Sequence, residues 1–344
     1  MLTTVIIEQI LERLPQLRLG VVGDLFLDRY LDIDAALTEP SVETGLDAYQ
    51  VTRVRSYPGA AGTVINNLAA LGVGAILPIA IVGDDGEGHE LRQALARLPA
   101  VDLRWLFGCK DRRTPTYTKP MLHEADQPPR ELNRLDIKNR LPLPPDAEAL
   151  ILNALEEFWP AVDALLVLDQ VSEADCGVVT ARVRDRLAYL GEQDPEKLIL
   201  VDSRERIGLF RGAWLKPNEA ECLRAAPSLT LEEAARTLAQ HTGRPVFCTC
   251  GQRGILVTEP GHQLPHADRV PACPVSGPID IVGAGDSTSA GITCALAAGA
   301  TLIEAAAFGN LVASITIQQI GVTGTATPQQ VRQRWAEVRQ AARP

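Results

Sequence analysis

A run of small residues that ends in an acid gives the clearest chemical signal in this chain. Gly283, Ala284 and Gly285 lead into Asp286, and the small-residue run 287–299 predicts a helix directly behind them. A helix that begins at a glycine turn presents unpaired N–H groups and the positive end of its dipole, which together bind phosphate. A carboxylate there is suited to take a proton from a hydroxyl that attacks a phosphoryl group. The structural alternative is an ordinary helix with an aspartate at its N-terminus.

A second stretch of small residues, 57–72, predicts another helix whose beginning lies close to a ligand. Gly59 begins the small-residue part of this stretch, and residues without bulk let a ligand approach the backbone. Thr63 and Asn67 stand four residues apart, and the Asn67 amide offers a donor and an acceptor to a hydroxyl. Close packing of the helix against a sheet explains the small residues equally well.

Several polar residues follow apolar runs that read as strands. Asp24 and Asp169 come directly after such runs, and Thr249 and Gly251 follow another. In an open parallel sheet, ligands bind outside the carboxyl ends of the strands, so these residues are expected at one edge. The Asp24 carboxylate there could accept hydrogen bonds from vicinal sugar hydroxyls, although aspartate is also common in turns.

Apolar strands alternate with helical tracts along most of the chain. The predicted strands are 17–22, 75–82, 164–168, 198–201, 213–215, 246–249 and 255–258. This alternation predicts an α/β fold with a mostly parallel sheet between two layers of helices. Two irregular, strand-like tracts, about 27–57 and 105–136, are expected to form a small β lid. We therefore predict a single domain over residues 1–344 with a discontinuous lid.

Composition narrows the classes of function. The chain has 344 residues and a net charge of −10, which disfavours nucleic acid or an anionic membrane as partner. The seven cysteines are scattered, and the five histidines show no metal-ligand spacing. No signal peptide or membrane-length apolar run is present, so a cytoplasmic location is expected. A dinucleotide-dependent oxidoreductase is disfavoured because no Gly-x-Gly-x-x-Gly loop follows the first strand.

The two small-residue stretches resemble the signatures of the ribokinase-like (PfkB) carbohydrate kinases, in that family's order. Asp280 and the segment 283–286 match its Asp-Thr-x-Gly-Ala-Gly-Asp pattern, with Ile281 in place of threonine. The stretch 59–72 matches the other signature, except that Ala60 replaces a glycine and Thr63 stands where a sugar-contacting asparagine is frequent. The resemblance implies a ribokinase-like three-layer fold and ATP-dependent phosphorylation of a sugar hydroxyl. Asp286 would be the catalytic base, and the 283–286 amides the anion hole.

The same resemblance assigns nucleotide-binding residues. Asn218 and Glu221 match the family's Pro-Asn-x-x-Glu motif, which organises phosphate, water and Mg²⁺; an asparagine N-cap with a glutamate partner is the structural reading. Thr249, Gly251 and Gly254 resemble its ATP-phosphate loop, and Asn310 matches an asparagine near its adenine pocket. The segment 321–325 resembles the closing loop, which in some members helps to hold a monovalent cation.

The acceptor side is similar to one branch of that family, the heptose-phosphate kinases. Asp24 and Asp28 fit the branch's Gly-Asp-x-x-x-Asp-x-Tyr, and Arg134 lies in its Arg-Leu-Asp. A sugar or sugar phosphate is therefore the expected partner, with Arg134 suited to an anionic group. A nucleoside or ribose kinase on the same fold, and a catalytically silent sugar- or nucleotide-binding regulator, remain as alternatives. By analogy with the family, lid strands are expected to pair in a homodimer.

Overall fold

The computed structural model describes residues 2–261 and 268–341, and every structural statement below concerns these residues. His262 and His266, to which the sequence assigns surface or structural roles, lie outside them. The helices are α1 (Thr4–Arg13), α2 (Ala61–Leu71), α3 (Gly86–Ala96), α4 (Pro145–Phe158), α5 (Ala181–Gln193), α6 (Glu219–Ala225), α7 (Leu231–Thr242), α8 (Ala284–Ala297), α9 (Leu302–Thr316) and α10 (Pro328–Ala341).

The strands form one large sheet, a smaller second sheet and a separate two-stranded ribbon. They are β1 (Arg18–Gly23), β2 (Leu25–Asp34), β3 (Glu39–Pro40), β4 (Asp47–Ala48), β5 (Val51–Ala60), β6 (Ala75–Gly83), β7 (Leu106–Cys109), β8 (Thr116–His123), β9 (Arg130–Glu131), β10 (Leu135–Ile137), β11 (Ala164–Asp169), β12 (Leu198–Ser203), β13 (Trp214–Leu215), β14 (Val246–Thr249), β15 (Ile255–Thr258) and β16 (Asp268–Val270).

The large sheet has the order β16-β15-β14-β13-β12-β11-β1-β6-β7. Its strands run parallel from β7 to β14. At the edge, β15 pairs antiparallel with β14 and with β16, so β15 alone runs in the opposite direction. Strands β6, β11 and β12 are almost entirely buried on both faces, which explains their continuous apolar sequences. The predicted mostly parallel sheet is therefore present, and the predicted bounds of β14 and β15 agree with the observed ones.

Helices cover both faces of this sheet and enclose two apolar cores. One core includes side chains of α1, α2, α3, α8, α9 and α10, and the other includes those of α4, α5, α6 and α7. Fully buried aromatic rings fill both, with Phe308 in the first core and Phe158 in the second. Because helices cover both faces of the sheet, the carboxyl ends of its strands form the edge that a ligand can reach.

The second sheet contains both irregular tracts, but with different bounds from those predicted. Its order is β10-β8-β2-β5, with β9 paired to β8, and we call it the small sheet. Strand β7 falls within the predicted lid tract 105–136, yet it pairs with β6 at the edge of the large sheet. Trp105 and Leu106 explain this placement, because both side chains are buried in the apolar cores. Strands β3 and β4 form a separate two-stranded ribbon.

Candidate active site

The turn before α8 has the geometry that the small-residue run predicts. Gly283 is the N-cap with φ of 79°, and a side chain there would lie 2.5 Å from Cγ2 of Thr323, so only glycine fits without strain. The first helical hydrogen bond runs from the Ser287 N–H to the Gly283 carbonyl at 2.9 Å. Helix geometry therefore leaves the N–H groups of Gly285 and Asp286 without intrahelical acceptors. The Ala284 N–H differs, since it donates to the Ile281 carbonyl at 3.1 Å.

Asp286 lies on the first turn of α8, at the accessible edge of the large sheet, and its side chain is half-buried. Loss of solvent, and after it the nearby Asp202 carboxylate, raise the pKa of its carboxyl from 3.8 to about 7, against the opposing charges of Lys216 and Arg204. A carboxylate with a pKa close to neutrality is suited to accept a proton at physiological pH. This is the property that a general base requires.

A buried ion pair lies beside this turn. Lys216 Nζ contacts Asp202 Oδ2 at 2.9 Å, and both residues are at most 8% exposed. Ser289 of α8 donates its hydroxyl to the same Asp202 oxygen at 3.0 Å, which connects the strand end to the helix. Burial alone would lower the pKa of Lys216, but the carboxylates around it, Asp202 first, raise that pKa above its ordinary value. Lys216 therefore stays positively charged next to the turn before α8.

A cleft of about 380 Å³ lies between the small sheet and the N-terminus of α8, and we call it the lid cleft. Two predicted substrate residues, Asp28 and Thr63, line it together with Asp286. Lys119 and Arg204 also line it, although the sequence did not single them out as site residues. Lys119 Nζ lies 3.5 Å from Asp28 Oδ1. The lid cleft thus combines a base, hydrogen-bonding side chains and cationic groups.

A larger, mostly apolar pocket of about 710 Å³ adjoins the lid cleft, and we call it the loop pocket. The predicted nucleotide residues Thr249, Gly251, Gly254 and Asn310 all line it. Asn310 is almost fully buried, and its amide N–H groups donate to the carbonyls of Val270 and Pro271 at 3.2 and 3.0 Å.

The two cavities meet at Thr249 and Gly285, which line both of them. This junction lies one residue before Asp286. A molecule extending from the loop pocket would therefore reach the exposed N–H groups of the α8 turn and the general-base candidate. A second molecule in the lid cleft would approach the same point from the opposite side.

The structural interpretation of Asn218 as an N-cap with Glu221 as its partner is confirmed. Both residues also line the lid cleft. The Asn218 side chain accepts from the Glu221 N–H at 2.9 Å, and Glu221 Oε2 accepts from the Asn218 N–H at 2.7 Å. This capping box begins α6 and fixes the orientation of the Glu221 carboxylate. Carboxylate oxygens suit Mg²⁺, which also retains waters and takes phosphate oxygens. In the described part of the chain, no three His, Cys, Asp or Glu side chains group to hold a metal unaided.

Two predicted substrate acids lie outside the residues that line the lid cleft. Asp24 is 4% exposed, and its carboxylate accepts hydrogen bonds from the backbone N–H groups of Gln170, Val171 and Val178 at 3.0, 3.1 and 2.7 Å. Burial raises the pKa of Asp24 to about 6 despite these bonds. The carboxylate therefore holds the loop after β11 in place, a role that no local sequence signal reveals.

Asp169 is also fully buried and forms an ion pair. Arg206 approaches its two oxygens at 2.6 and 3.1 Å, and the Ser203 hydroxyl donates to it at 2.6 Å. These contacts join the loops that follow β11 and β12. Asp169 thus supports the edge that carries Gln170 and Arg204, both of which line the lid cleft.

The remaining predicted substrate residues do not line the lid cleft, but each contacts a residue that does. The Asn67 amide donates to the carbonyls of Thr63 and Gly324 at 3.0 and 3.4 Å, so its N–H groups join α2 to the closing loop. A side chain on Gly59 would lie 2.5 Å from Asp28 Oδ2, so the Asp28 carboxylate would have to move to admit it.

Arg134 directly precedes β10 of the small sheet and does not itself line the lid cleft. Its guanidinium stacks 4.5 Å above the ring of Tyr117, which lines the cleft, and pairs with both Asp136 oxygens at 2.7 and 2.8 Å. This pairing partly neutralises the positive charge of Arg134, the residue that the sequence predicts to bind an anionic group of the sugar.

Comparison with known proteins agrees with this geometry. Residues 209–330, which include α8 and the Asn218–Glu221 box, match the family described as pfkB family carbohydrate kinase. The predicted family resemblance is confirmed. The match also supports the predicted enzyme class, a carbohydrate kinase.

A curated relative covers more of the chain. The bifunctional protein HldE of Trichlorobacter lovleyi is 29% identical over 331 residues, which are 94% of this chain and 64% of the relative. This chain therefore spans less than two thirds of the length of the HldE protein that it matches.

Solved structures share the fold. The Arabidopsis thaliana ribokinase complexed with ribose and ATP superposes with a TM-score of 0.65 at 16% identity, covering 92% of this chain and 98% of the ribokinase. A phosphofructokinase-2 mutant from Escherichia coli gives a TM-score of 0.67 at 19% identity, covering 94% and 99%. The predicted ribokinase-like fold is confirmed. Among the described residues, no helix combines the length and apolarity needed to cross a bilayer.

Proposed function

We propose that this chain transfers the terminal phosphoryl group of ATP to a hydroxyl of a sugar or sugar phosphate. The observation that carries the proposal is the position of Asp286. It has a carboxyl pKa of about 7 and lies one residue from Gly285, where the loop pocket and the lid cleft meet. ATP would occupy the loop pocket with its phosphates extending to the α8 turn, and the acceptor would occupy the lid cleft.

In the proposed reaction, the Asp286 carboxylate accepts the proton of the acceptor hydroxyl. The hydroxyl oxygen forms a bond to the terminal phosphorus while the bond between that phosphorus and its bridging oxygen breaks, which releases ADP. The N–H groups of Gly285 and Asp286 and the ammonium of Lys216 stabilise charge on the transferred group. Mg²⁺ neutralises phosphate charge when bound, and Glu221 with its fixed carboxylate would hold it through water.

In this proposal the small sheet is the lid of one kinase domain over residues 1–344. Closure over the acceptor would exclude water, which would otherwise compete for the phosphoryl group. The edge strand β5 has exposed residues along its first half, and it is the surface through which the proposed homodimer would form. A cation at the closing loop 321–325 is likewise part of the proposal.

Two cationic side chains favour an acceptor that carries an anionic group. Lys119 and Arg204 both line the lid cleft, on the small sheet and after β12 respectively. Lys119 also lies 4.7 Å from the centre of the Tyr30 ring, which fixes its direction. A phosphate placed between the two cations would be recognised by charge-assisted hydrogen bonds. A neutral ribose or nucleoside would leave both cations without this partner.

The test is ADP release with Mg²⁺ and ATP over neutral sugars, sugar phosphates and nucleosides. We expect turnover with at least one sugar phosphate. Lys119→Met should raise the KM for that sugar phosphate about tenfold and raise the KM for neutral sugars by less. Lys110→Met is the matched control, because Lys110 is exposed and lies outside both cavities. Turnover only with nucleosides would support the alternative kinase. Ligand binding without ADP release across the panel would support a silent regulator and contradict the proposal.

A further inference from the structure

The backbone of Ala60 has an unusual conformation at the start of α2. Its φ and ψ are 53° and −118°, close to the first central position of a type II′ turn, which glycine normally occupies. Among the described residues, the other non-glycine residues with positive φ are Asp126, Asp175 and Ser228. Aspartate is several-fold enriched in that region, and alanine is not.

The neighbouring structure enforces this conformation. Ala60 is the last residue of β5, where it pairs with Leu25 of β2, and it is also the N-cap of α2. The next N–H, of Ala61, donates to the Asp24 carbonyl at 3.0 Å. The chain must therefore turn from a strand into a helix within one residue, at a site where a methyl group costs free energy and a hydrogen does not.

The strained residue lies in the lid cleft. Ala60 lines it beside Asp28, Thr63 and Asp286. Thr63 contributes a second methyl group, its Cγ2. This methyl group is close to the turn before α8, because it would lie 3.4 Å from a side chain placed on Gly283. We call the Ala60 methyl and Thr63 Cγ2 the methyl ledge. Its Thr63 methyl group lies close to Gly283, at the turn where the proposed reaction takes place.

We infer that the methyl ledge determines acceptor specificity, by excluding acceptors in which the carbon that bears the reacting hydroxyl carries no hydrogen. This inference rests on the proposed kinase function and names the substrate class for the same site. The strained alanine adds one methyl group to the lining of the cleft that also holds Asp286. In an apolar pocket, one methylene changes kcat/KM by about 10- to 200-fold.

The test compares the wild type with Ala60→Gly on mannose 6-phosphate and fructose 6-phosphate. The first has a hydrogen on its anomeric carbon, and the second has a hydroxymethyl group there. Because that hydroxymethyl group is itself a primary alcohol, the phosphorylated carbon is identified by ³¹P NMR and only transfer to the anomeric hydroxyl is counted. Ala60→Gly is expected to raise kcat/KM for the ketose about tenfold relative to the aldose. It should also raise the melting temperature by about 1–2 °C, because glycine adopts this turn without strain.

Ser228→Gly is the matched control. Ser228 also has positive φ, at 68°, but it is exposed and lies outside the lid cleft. Its replacement should raise the melting temperature and leave the ratio of ketose to aldose kcat/KM unchanged. This control separates relief of backbone strain from the change in the cleft.

Each outcome has a distinct meaning. A ketose-to-aldose ratio that stays within twofold of wild type in Ala60→Gly overturns the inference while leaving the kinase function intact. A lower melting temperature in Ala60→Gly overturns its backbone basis. If the wild type phosphorylates neither sugar, the shift in melting temperature that each sugar causes is compared instead. That measurement needs no phosphoryl transfer, and an unchanged preference there also overturns the inference.

Discussion

Replacing Asp286 with asparagine should slow turnover and stabilise the protein at the same time. The carboxyl pKa is raised from 3.8 to about 7, so between these values the folded state binds more protons than the unfolded state. Stability therefore falls as pH rises from about 4 to 7, and above pH 7 the full cost of the ionised carboxylate is present. Three pKa units correspond to ~4 kcal/mol, and partial solvent exposure reduces this to ~2 kcal/mol.

Asparagine removes that cost because it carries no charge. At about 0.7 kcal/mol per degree for a chain of 344 residues, Asp286→Asn should melt about 3 °C higher than wild type at pH 8. At pH 4 the two proteins should melt at similar temperatures. Loss of the base should lower kcat about 10²- to 10⁴-fold, and wild-type kcat/KM should fall about tenfold per pH unit below about pH 7.

The assays are thermal unfolding at both pH values and ADP release at saturating ATP and acceptor. Asp84→Asn is the control, because Asp84 is exposed after β6 and lies outside the lid cleft. It should change neither kcat nor the pH dependence. Wild-type turnover in Asp286→Asn, or a lower melting temperature at pH 8, would refute the reasoning about this carboxylate.

The other predictions concern the two buried ion pairs. Lys216→Met leaves Asp202 buried without a counter-ion, so we expect the free energy of unfolding measured with denaturant to fall by about 3–5 kcal/mol and turnover to slow. Adding Asp202→Asn should restore part of the stability but not the turnover. Arg206→Met leaves Asp169 unpaired at 0% exposure, with a similar loss and a raised acceptor KM. Adding Asp169→Asn should again recover stability. Failure of either second change to recover any stability would contradict the assigned pairing.

Local sequence patterns identified most of what depends on neighbouring residues. The apolar strands, the glycine turn before Asp286 and the capping motif at Asn218 each follow from residues within one turn or strand. Their order along the chain predicted the parallel sheet and one functional edge. The short tract around Leu106 was placed wrongly, because membership of a particular sheet depends on the strand with which it pairs.

The use of each acid was decided by tertiary structure. Asp24, Asp169 and Asp202 all lie at the carboxyl ends of strands, yet the first binds N–H groups 146 to 154 residues away and the second pairs with Arg206. Lys119 reaches the lid cleft only because β8 pairs with β2. By itself the sequence determined which chemical groups the protein possesses and in which secondary elements they lie. Folding decided which of those groups remain available, since the partners that bury or neutralise a charge come from distant segments.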